Sequence, residues 1–424
     1  MTARKPFLLK SMASIIDQVM LSGLNFLIGI ALIRYASKET YGLYSQIFAG
    51  GLLTTTLLEA LIGSALTTLA ARLEPTQREQ LVARCLRLHW MAAAGLATVF
   101  GVGVWALSGA IGIAEDAGWL GLVFAFLIFS LGSREYCRTA FFIESRPEVV
   151  VRLDAAFVAL TLLGALAFLL VEHITVTQVI CLLALTNLLA VLPFVHTLFK
   201  AAGSTAGWQA YRSDAQALWS LSRWALIGSV IGWLVNNSYL YFAGGLVGVA
   251  ALADLNAARL LLIPISIIGL AWSRVARPTL GQLVNAADWA PLQRFLAKSV
   301  LAMEGFTVIY VAGLLLMFPW LSTHVLGAKY QNVVNLVFLW GIYFAVNAAR
   351  NVTTTLLTSY GAFRALFWQG IASLPVLVLV CVSLIPVFGV KGALAAMLAV
   401  EAFELVVNWF YLIPQARLQK LALE

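Results

Sequence analysis

The segment that determines the fold class is residues 11–34, SMASIIDQVMLSGLNFLIGIALIR, which is long, predominantly apolar and interrupted by only a few polar side chains. A helix of about 20 apolar residues crosses the hydrocarbon core of a membrane. Similar segments follow along the whole chain, separated by short polar connections. We therefore predict an all-α integral membrane protein with twelve transmembrane helices, at residues 11–34, 42–70, 80–108, 117–142, 149–171, 174–199, 219–243, 247–274, 295–318, 331–358, 365–387 and 390–413.

The composition of the chain supports this prediction. Of its 424 residues, 62% are hydrophobic and only 11% are charged, whereas soluble domains contain about 25% charged residues. A soluble enzyme and a secreted disulfide-rich domain are therefore excluded. The four cysteines and four histidines are scattered without CxxC or metal-ligand spacing, so we predict neither disulfides nor a metal site. We also predict no cofactor.

The distribution of positive charge predicts the orientation. The net charge of +8 arises from 27 Lys and Arg residues against 19 Asp and Glu residues. Most of the basic residues lie in connections on one side of the membrane, including Arg134 and Arg138 at the end of the fourth span, and this side is assigned to the cytoplasm. The pattern predicts a multi-pass protein of the cell inner (plasma) membrane, with both termini in the cytoplasm and no nucleic-acid partner.

The longest inner connection divides the chain into two halves of six spans each. Residues 201–218 contain Trp208, Tyr211 and Arg212, a composition typical of an amphipathic helix that lies in the membrane interface. A plain linker is the alternative. We predict an N-terminal lobe at 1–200, this cytoplasmic amphipathic linker at 201–218, and a C-terminal lobe at 219–424 that repeats the first in parallel orientation.

Ionisable side chains inside the spans are the strongest indication of function. Each costs about 3 kcal/mol when it is inserted at the centre of a membrane helix, so these side chains must face one another, the bundle interior or a hydrated cavity. Eight such residues lie within the predicted spans: Asp17, Glu59, Asp154, Arg259, Glu304, Arg350, Glu401 and Glu404.

Helical periodicity places many of the polar side chains on shared faces. In the first span, for example, Asp17, Gln18, Ser22 and Asn25 lie on one side of the helix. Such faces predict a hydrated cavity, for which we select these candidate substrate-binding residues: Gln18, Ser22, Asn25, Asn236, Asn256, Arg259, Asn347 and Arg350. The alternative, for the C-terminal spans above all, is a set of buried ion pairs such as Arg350 with Glu401 or Glu404.

The charged candidates differ in the chemistry that they offer. The guanidinium groups of Arg259 and Arg350 are permanently charged and bind phosphate through two hydrogen bonds. The carboxylates of Asp17, Glu59 and Glu401 are candidates for coupling transport to H⁺ or Na⁺, and the alternative is that they are hydrogen-bonded structural groups. Motifs of known catalytic sites, such as GxSxG, HExxH and the P-loop, are absent from the sequence, so we predict that the protein is not an enzyme.

Three motifs near the N-terminus resemble a known family. They are DQVMLSGLNF at 17–26, ALIRY at 31–35 and ETYGLY at 39–44. The sequence resembles the polysaccharide transporter, or Wzx-type oligosaccharide flippase, branch of the MOP superfamily, which also contains the MATE drug exporters and the lipid II flippases. Asp17 stands where lipid II flippases would place cations, which argues against a peptidoglycan precursor as cargo.

The resemblance implies a V-shaped bundle of two six-helix lobes, in which spans 1, 2, 7 and 8 line a cavity. It implies alternating-access transport of an oligosaccharide linked to undecaprenyl pyrophosphate, such as an O-antigen or exopolysaccharide repeat unit, from the cytoplasmic to the periplasmic leaflet. Beyond this lipid-linked glycan and the bilayer, we expect a polysaccharide polymerase and a chain-length regulator as partners.

Two other functions stay open. In a MATE-like cation-coupled drug exporter, Asp17, Glu59 and Glu401 would be the binding and coupling groups, although Arg259 and Arg350 would repel a cationic drug. A membrane enzyme of glycan assembly is the other alternative. Such enzymes hold their acceptor and catalytic carboxylates in a folded domain outside the bilayer, and the predicted outer loops are too short for one.

Overall fold

The computed structural model is almost entirely helical and describes residues 4–111, 117–170, 173–201, 207–286 and 289–421. Side chains are described for 16–107, 117–168, 173–195, 207–286 and 289–420. In the first half the helices are α1 Arg4–Tyr35, α2 Lys38–Leu58, α3 Ser64–Ala70, α4 Pro75–Ile111, α5 Ala117–Ile143, α6 Pro147–Leu166, α7 Val176–Ala201 and α8 Trp208–Val247. They continue with α9 Val249–Leu261, α10 Ile263–Asn285, α11 Trp289–Leu321, α12 Val334–Ser359, α13 Phe363–Phe388, α14 Val390–Val407 and α15 Ile413–Leu421.

The helices confirm the predicted fold class. Each of the twelve predicted spans is helical over most of its described length. Within the described residues, ten helices are long and apolar enough to cross a membrane, and an eleventh is added when α9 and α10, which meet at a bend of 51°, are counted together. The twelfth predicted span begins with α14, which is helical but carries Lys391, Glu401 and Glu404.

Short π-helical turns interrupt three of these helices. One joins α2 to α3 at Glu59–Gly63, a second follows α11 at Ser322–Leu326, and a third joins α14 to α15 at Asn408–Leu412. A π-turn inserts one extra residue into a helical turn and is frequent at functional sites. Each of these turns begins at a polar side chain: Glu59, Ser322 and Asn408.

The structure divides into two compact units, Met1–Val230 and Ile231–Glu424. The division falls within α8, which is one continuous helix from Trp208 onward. The predicted linker at 201–218 therefore overlaps the first three turns of α8, and residues 202–206 lie outside the described residues. The lobe boundaries and the interfacial position of the linker stay predictions.

The start of α8 is attached to the first unit by specific contacts. The Arg84 side chain on α4 donates to the Asp214 carboxylate at 2.6 and 3.3 Å, and Arg87 donates to the Tyr211 hydroxyl at 2.7 Å. Leu218 is buried in the core of this unit. These contacts hold the described part of the predicted linker against the rest of the first unit.

Two glycines allow α4 and α5 to pack closely. A Cβ atom added at Gly121 would lie 2.6 Å from the carbonyl oxygen of Gly101, and one added at Gly101 would lie 2.8 Å from that of Gly121. Both separations are shorter than van der Waals contact. Helix pairs in membranes use small residues in this way, because close backbone approach replaces the hydrophobic driving force that lipid does not supply.

We predict that Gly121→Ala lowers the stability of the protein by about 1–3 kcal/mol, because the new methyl group must push apart two backbones rather than a flexible side chain. Gly103→Ala on α4 is the matched control, since no atom lies within 4 Å of a Cβ at that position. It should be neutral or stabilising by up to about 1 kcal/mol. Thermal unfolding of the purified protein in detergent would compare them, and equal stability of the two variants would contradict the close crossing.

Candidate functional site

The first unit contains an open cavity of about 550 Å³. Pockets that bind small molecules have volumes of about 300–1,000 Å³. Its walls come from α1, α2, the first π-turn, α5, α6 and α7, and leucine and phenylalanine side chains alternate there with polar ones. The polar lining consists of Gln18, Ser22, Asn25, Thr55, Thr56, Glu59, Arg134, Glu135, Arg138, Thr139 and Asn187.

Arg138 forms the centre of a charged cluster in the cavity wall. It contacts the Asp17 carboxylate on α1 at 2.8 Å, the Asp154 carboxylate on α6 at 2.7 Å and the Glu135 carboxylate on its own helix α5 at 2.6 Å. Asp154 is fully buried and Asp17 is 3% exposed. Because a buried charge is stable only with a partner, Arg138 ties α1, α5 and α6 together at the cavity.

Arg134 lies one helical turn before Arg138 and extends the same cluster. Its guanidinium contacts Glu135 at 3.0 Å and Asp154 at 3.8 Å. The carbon atom of the guanidinium lies 3.9 Å from the centre of the Phe157 ring, which is within the range of a cation–π interaction. The residue is 5% exposed, so this aromatic contact replaces part of the solvation that burial removes.

Acidic groups outnumber basic ones in the charged cluster at the cavity. The lining itself has two carboxyl groups, Glu59 and Glu135, and two guanidinium groups, Arg134 and Arg138. The arginines also contact two further carboxyl groups, Asp17 and Asp154. In a low-dielectric environment an excess of negative charge favours the binding of a proton, a cation or a group rich in hydrogen-bond donors. The arrangement therefore suits ligands that donate hydrogen bonds.

Glu59 is the most accessible of these acidic residues. It is exposed, lines the cavity and accepts a long hydrogen bond from the Thr139 hydroxyl at 3.5 Å. It begins the π-turn that ends at Gly63, and its carboxylate occupies the space that a side chain at position 63 would need. The π-turn and the absence of a side chain at Gly63 together position this carboxylate.

In the second unit, Arg350 belongs to a dense network of polar contacts. Its guanidinium makes two hydrogen bonds to the Glu401 carboxylate, at 2.7 and 3.2 Å, and lies 3.6 Å from Glu404. The Asn347 amide and the Tyr343 hydroxyl also donate to Glu401, at 2.9 and 3.2 Å. The contacts of Arg350 are thus those of the buried ion pair that the sequence left open as an alternative.

Arg259 lies in a different part of the second unit, on α9. It donates to the Tyr239 hydroxyl at 2.9 Å, and its guanidinium lies 5.4 Å from the centre of the Trp340 ring. The Trp340 indole is fully buried and donates to the carbonyl of Leu255 at 2.9 Å. An arginine held by an aromatic ring and a phenol is well positioned, because both partners fix the plane of its guanidinium.

The predicted site residues thus separate into groups. The cavity of the first unit is lined by four of them, Gln18, Ser22, Asn25 and Glu59. Asp17 contacts Arg138, which also lines the cavity. In the second unit the structure brings together the predicted residues Asn347, Arg350 and Glu401.

Two predicted asparagines of the second unit lie outside that network. Asn236 on α8 is exposed and donates to the carbonyl of Gly232 in its own helix at 2.7 Å. Asn256 on α9 is half-buried, and its amide nitrogen has no hydrogen-bond partner within the described residues. The binding roles of both stay predictions.

The sequence analysis missed the centre of the first cluster. Arg134 and Arg138, which were predicted at the cytoplasmic end of the fourth span, line the cavity, and neither these two residues nor Glu135 and Asn187 were selected as site residues. A signal was present, because Arg134 and Arg138 are four residues apart and therefore share one face of a helix that continues to Ile143. The number of basic residues alone could not show that they pair with acidic residues of other helices.

Comparison with known proteins shows the fold. No family model and no curated protein matches the sequence. Solved structures do match: an inward-facing multidrug resistance MATE family transporter of the MOP superfamily has a TM-score of 0.71 at 12% identity, over 96% of this chain and 95% of that one. The lipid II flippase MurJ in an inward closed conformation has a TM-score of 0.74 at 11% identity, over 97% of this chain and 90% of that one.

A eukaryotic MATE transporter has a TM-score of 0.58 at 11% identity, over 98% of this chain and all of that one. The chain therefore has the fold of MATE and MurJ transporters, which confirms the predicted fold class. Its structural neighbours are transporters and flippases rather than enzymes. At these identities the similarity distinguishes neither the Wzx-type branch nor a substrate.

We predict that Arg138→Leu destabilises the protein by about 3–5 kcal/mol, because Asp17 and Asp154 would remain buried without their main positive partner. Arg152→Leu is the control, since Arg152 on α6 is exposed and donates to the carbonyl of Glu148. Thermal or denaturant unfolding in detergent gives the comparison. Adding Asp154→Asn to Arg138→Leu should recover part of the loss, and equal stability of the two single variants would contradict the role of Arg138.

Proposed function

We propose that the protein is a flippase that moves an oligosaccharide linked to polyprenyl pyrophosphate from the cytoplasmic to the periplasmic leaflet by alternating access. The observation that carries this proposal is the polar cavity of about 550 Å³ inside a unit built from apolar membrane-spanning helices. The fold, which is shared with MATE transporters and a lipid II flippase, and the three N-terminal motifs support it.

The lining of the cavity suits a sugar. Sugar hydroxyl groups donate and accept hydrogen bonds, and the cavity offers the Glu59 carboxylate together with the amides of Gln18, Asn25 and Asn187. Asn187 is 2% exposed, and its side-chain oxygen is buried without a hydrogen-bond partner in the described part of the chain. In this proposal the polar head of the cargo enters the cavity, while the prenyl chain stays in lipid.

The anionic part of the cargo needs a cation. We assign Arg259 to the pyrophosphate, since its guanidinium is held in one plane by Tyr239 and Trp340 and binds phosphate oxygens in pairs. Arg350 would have to exchange the Glu401 carboxylate for phosphate, so we assign it a mainly structural role. In this proposal Asn236, Asn256 and Asn347 supply further polar contacts.

Energy coupling is assigned to the first unit. Asp17 is neutralised by Arg138, whereas Glu59 is exposed to the cavity, which makes Glu59 the better candidate for exchange of H⁺ or Na⁺. Glu401 is held by Arg350 and is 4% exposed, about as buried as Asp17 at 3%. The proposal also includes an inner-membrane location with cytoplasmic termini, and a polymerase and a chain-length regulator as partners.

A second candidate function is a MATE-like exporter of cations. The observation that favours it is the excess of carboxyl groups around the cavity, where Glu59, Glu135, Asp17 and Asp154 outnumber Arg134 and Arg138. A cationic drug would gain from that excess, and so would the hydroxyl donors of a sugar.

Transport by the purified protein in proteoliposomes distinguishes the two functions. We predict that the wild type translocates a polyprenyl-pyrophosphate-linked disaccharide, read out by lectin binding at the far leaflet, and does not transport ethidium. Arg259→Gln should lower glycolipid translocation about tenfold or more, since a hydrogen bond to a charged group contributes about 1.5–3 kcal/mol. Ethidium transport without glycolipid translocation would identify an exporter and contradict the proposal.

A second prediction concerns the position of Glu59. Gly63→Ala should displace the Glu59 carboxylate, because its oxygen atoms occupy the place of the new methyl group. Translocation should fall about tenfold, as for Glu59→Gln, since small displacements of a reacting group have large effects on rate. Gly95→Ala on α4, where no atom lies within 4 Å of a Cβ, should keep wild-type transport. Normal transport by Gly63→Ala would show that the position of Glu59 is not important.

A further inference from the structure

A second and much smaller cavity lies behind Glu59. Its volume is about 10 Å³, which is about the space that one water molecule needs. Glu59 and Thr139 line both this cavity and the large one, and the side chain of His89 lines the small one only. We refer to this space as the His89 cavity.

The tautomer of His89 follows from one hydrogen bond. The Nε2 atom lies 2.9 Å from the carbonyl oxygen of Gly132. A carbonyl oxygen only accepts hydrogen bonds, so Nε2 carries the hydrogen, and in a neutral imidazole Nδ1 is then an acceptor. The ring also packs against the Tyr136 ring, with the two centres 4.7 Å apart, so its orientation is fixed on two sides.

The Nδ1 atom of His89 needs a donor. The residue is 3% exposed, and Nδ1 is buried without a hydrogen-bond partner within the described residues. A buried acceptor left without a partner costs about 1–3 kcal/mol. A bound water is the usual solution where a cavity of sufficient size has two or more polar neighbours, and the residues that line the His89 cavity include His89, Glu59 and Thr139.

We propose that the His89 cavity binds one ordered water molecule, which donates one hydrogen bond to Nδ1 of His89 and the other to the carboxylate of Glu59. His89 is then a positioning residue that acts on Glu59 through this water. Glu135 and Tyr136 are the other titratable groups that line this space. They interact elsewhere, Glu135 with Arg134 and Arg138 and Tyr136 with the carbonyl of Val82.

This inference deepens the proposed function and rests on the coupling role that it gives to Glu59. The Glu59 carboxylate would then face the large cavity and also accept a hydrogen bond from the bound water beside His89. Loss of the water would remove a donor that holds the carboxylate in place.

Nitrogen NMR of the protein labelled with ¹⁵N-histidine in detergent micelles tests the bound water directly. The chain has four histidines, and the signals that disappear in His89→Gln identify His89. We expect Nε2 to carry the hydrogen. We also expect the ¹⁵N chemical shift of Nδ1 to differ from that of an unbonded nitrogen, in the direction typical of a nitrogen that accepts a hydrogen bond. Hydrogen on Nδ1, or the shift of an unbonded Nδ1, would overturn the proposal from the wild type alone.

Two further variants identify the partner of the water. Glu59→Leu should move the Nδ1 shift toward its unbonded position, because the water loses one of its acceptors. Glu304→Leu, which removes a half-buried carboxylate of α11 in the second unit, should leave the shift unchanged. An unchanged shift in Glu59→Leu would overturn the link between the water and Glu59.

Two substitutions of His89 separate the water contact from the structural one. In His89→Gln the amide can still donate to Gly132, but the acceptor at the position of Nδ1 is lost. In His89→Asn the amide oxygen replaces Nδ1, and the Gly132 contact is lost. With the disaccharide glycolipid as probe, His89→Gln should lower translocation about fivefold, the usual size of a single hydrogen-bond effect, and His89→Asn should stay within about twofold of the wild type.

The outcomes also separate this inference from the proposed function. If Glu59→Gln abolishes translocation while both His89 variants transport like the wild type, the water link is wrong and the coupling role of Glu59 stands. If Glu59→Gln transports normally, the coupling role fails, and the inference fails with it. A larger loss in His89→Asn than in His89→Gln would show that the Gly132 contact, and not the water, is the important one.

Discussion

Charged side chains are stable inside a membrane only when they have partners, and in the first unit this constraint is met at Arg138. Its guanidinium contacts carboxylates from three different helices, α1, α5 and α6. The same three helices contribute to the walls of the large cavity. The cluster therefore fixes the frame in which Gln18, Ser22 and Asn25 face the cavity, since all three lie on the helix that Asp17 attaches to Arg138.

The two units meet this constraint in different ways. In the second unit, Glu401 receives hydrogen bonds from Arg350, Asn347 and Tyr343, which is a nearly complete set for one carboxylate. In the first unit, carboxyl groups outnumber guanidinium groups in the cluster around Arg138, and Glu59 accepts a long hydrogen bond from Thr139. Saturated networks stabilise a fold, whereas incompletely satisfied groups beside a cavity are available to a ligand or an ion. This difference is the reason that the proposed coupling group is Glu59 rather than Glu401.

Local backbone geometry has a direct part in the site. The π-turn at Glu59–Gly63 changes the direction of side chains along the second span, and the missing side chain at Gly63 leaves room for the Glu59 carboxylate. A π-turn at Asn408 similarly places its amide against Thr353 and Thr354. In both places a polar side chain at the start of the turn reaches a partner on another helix.

The sequence alone determined the fold class, the approximate limits of the twelve spans and the polar face of the first span that carries Gln18, Ser22 and Asn25. These features depend on hydrophobicity and on helical periodicity. Both are local properties, because they follow from the order of neighbouring residues within one helix. Only the tertiary structure decided which charges pair. It paired Arg138 with Asp17 and Asp154 at the cavity wall and joined Arg350 to Glu401. Such pairs connect helices that are distant in the chain, so they depend on how the helices pack, which the local pattern does not specify.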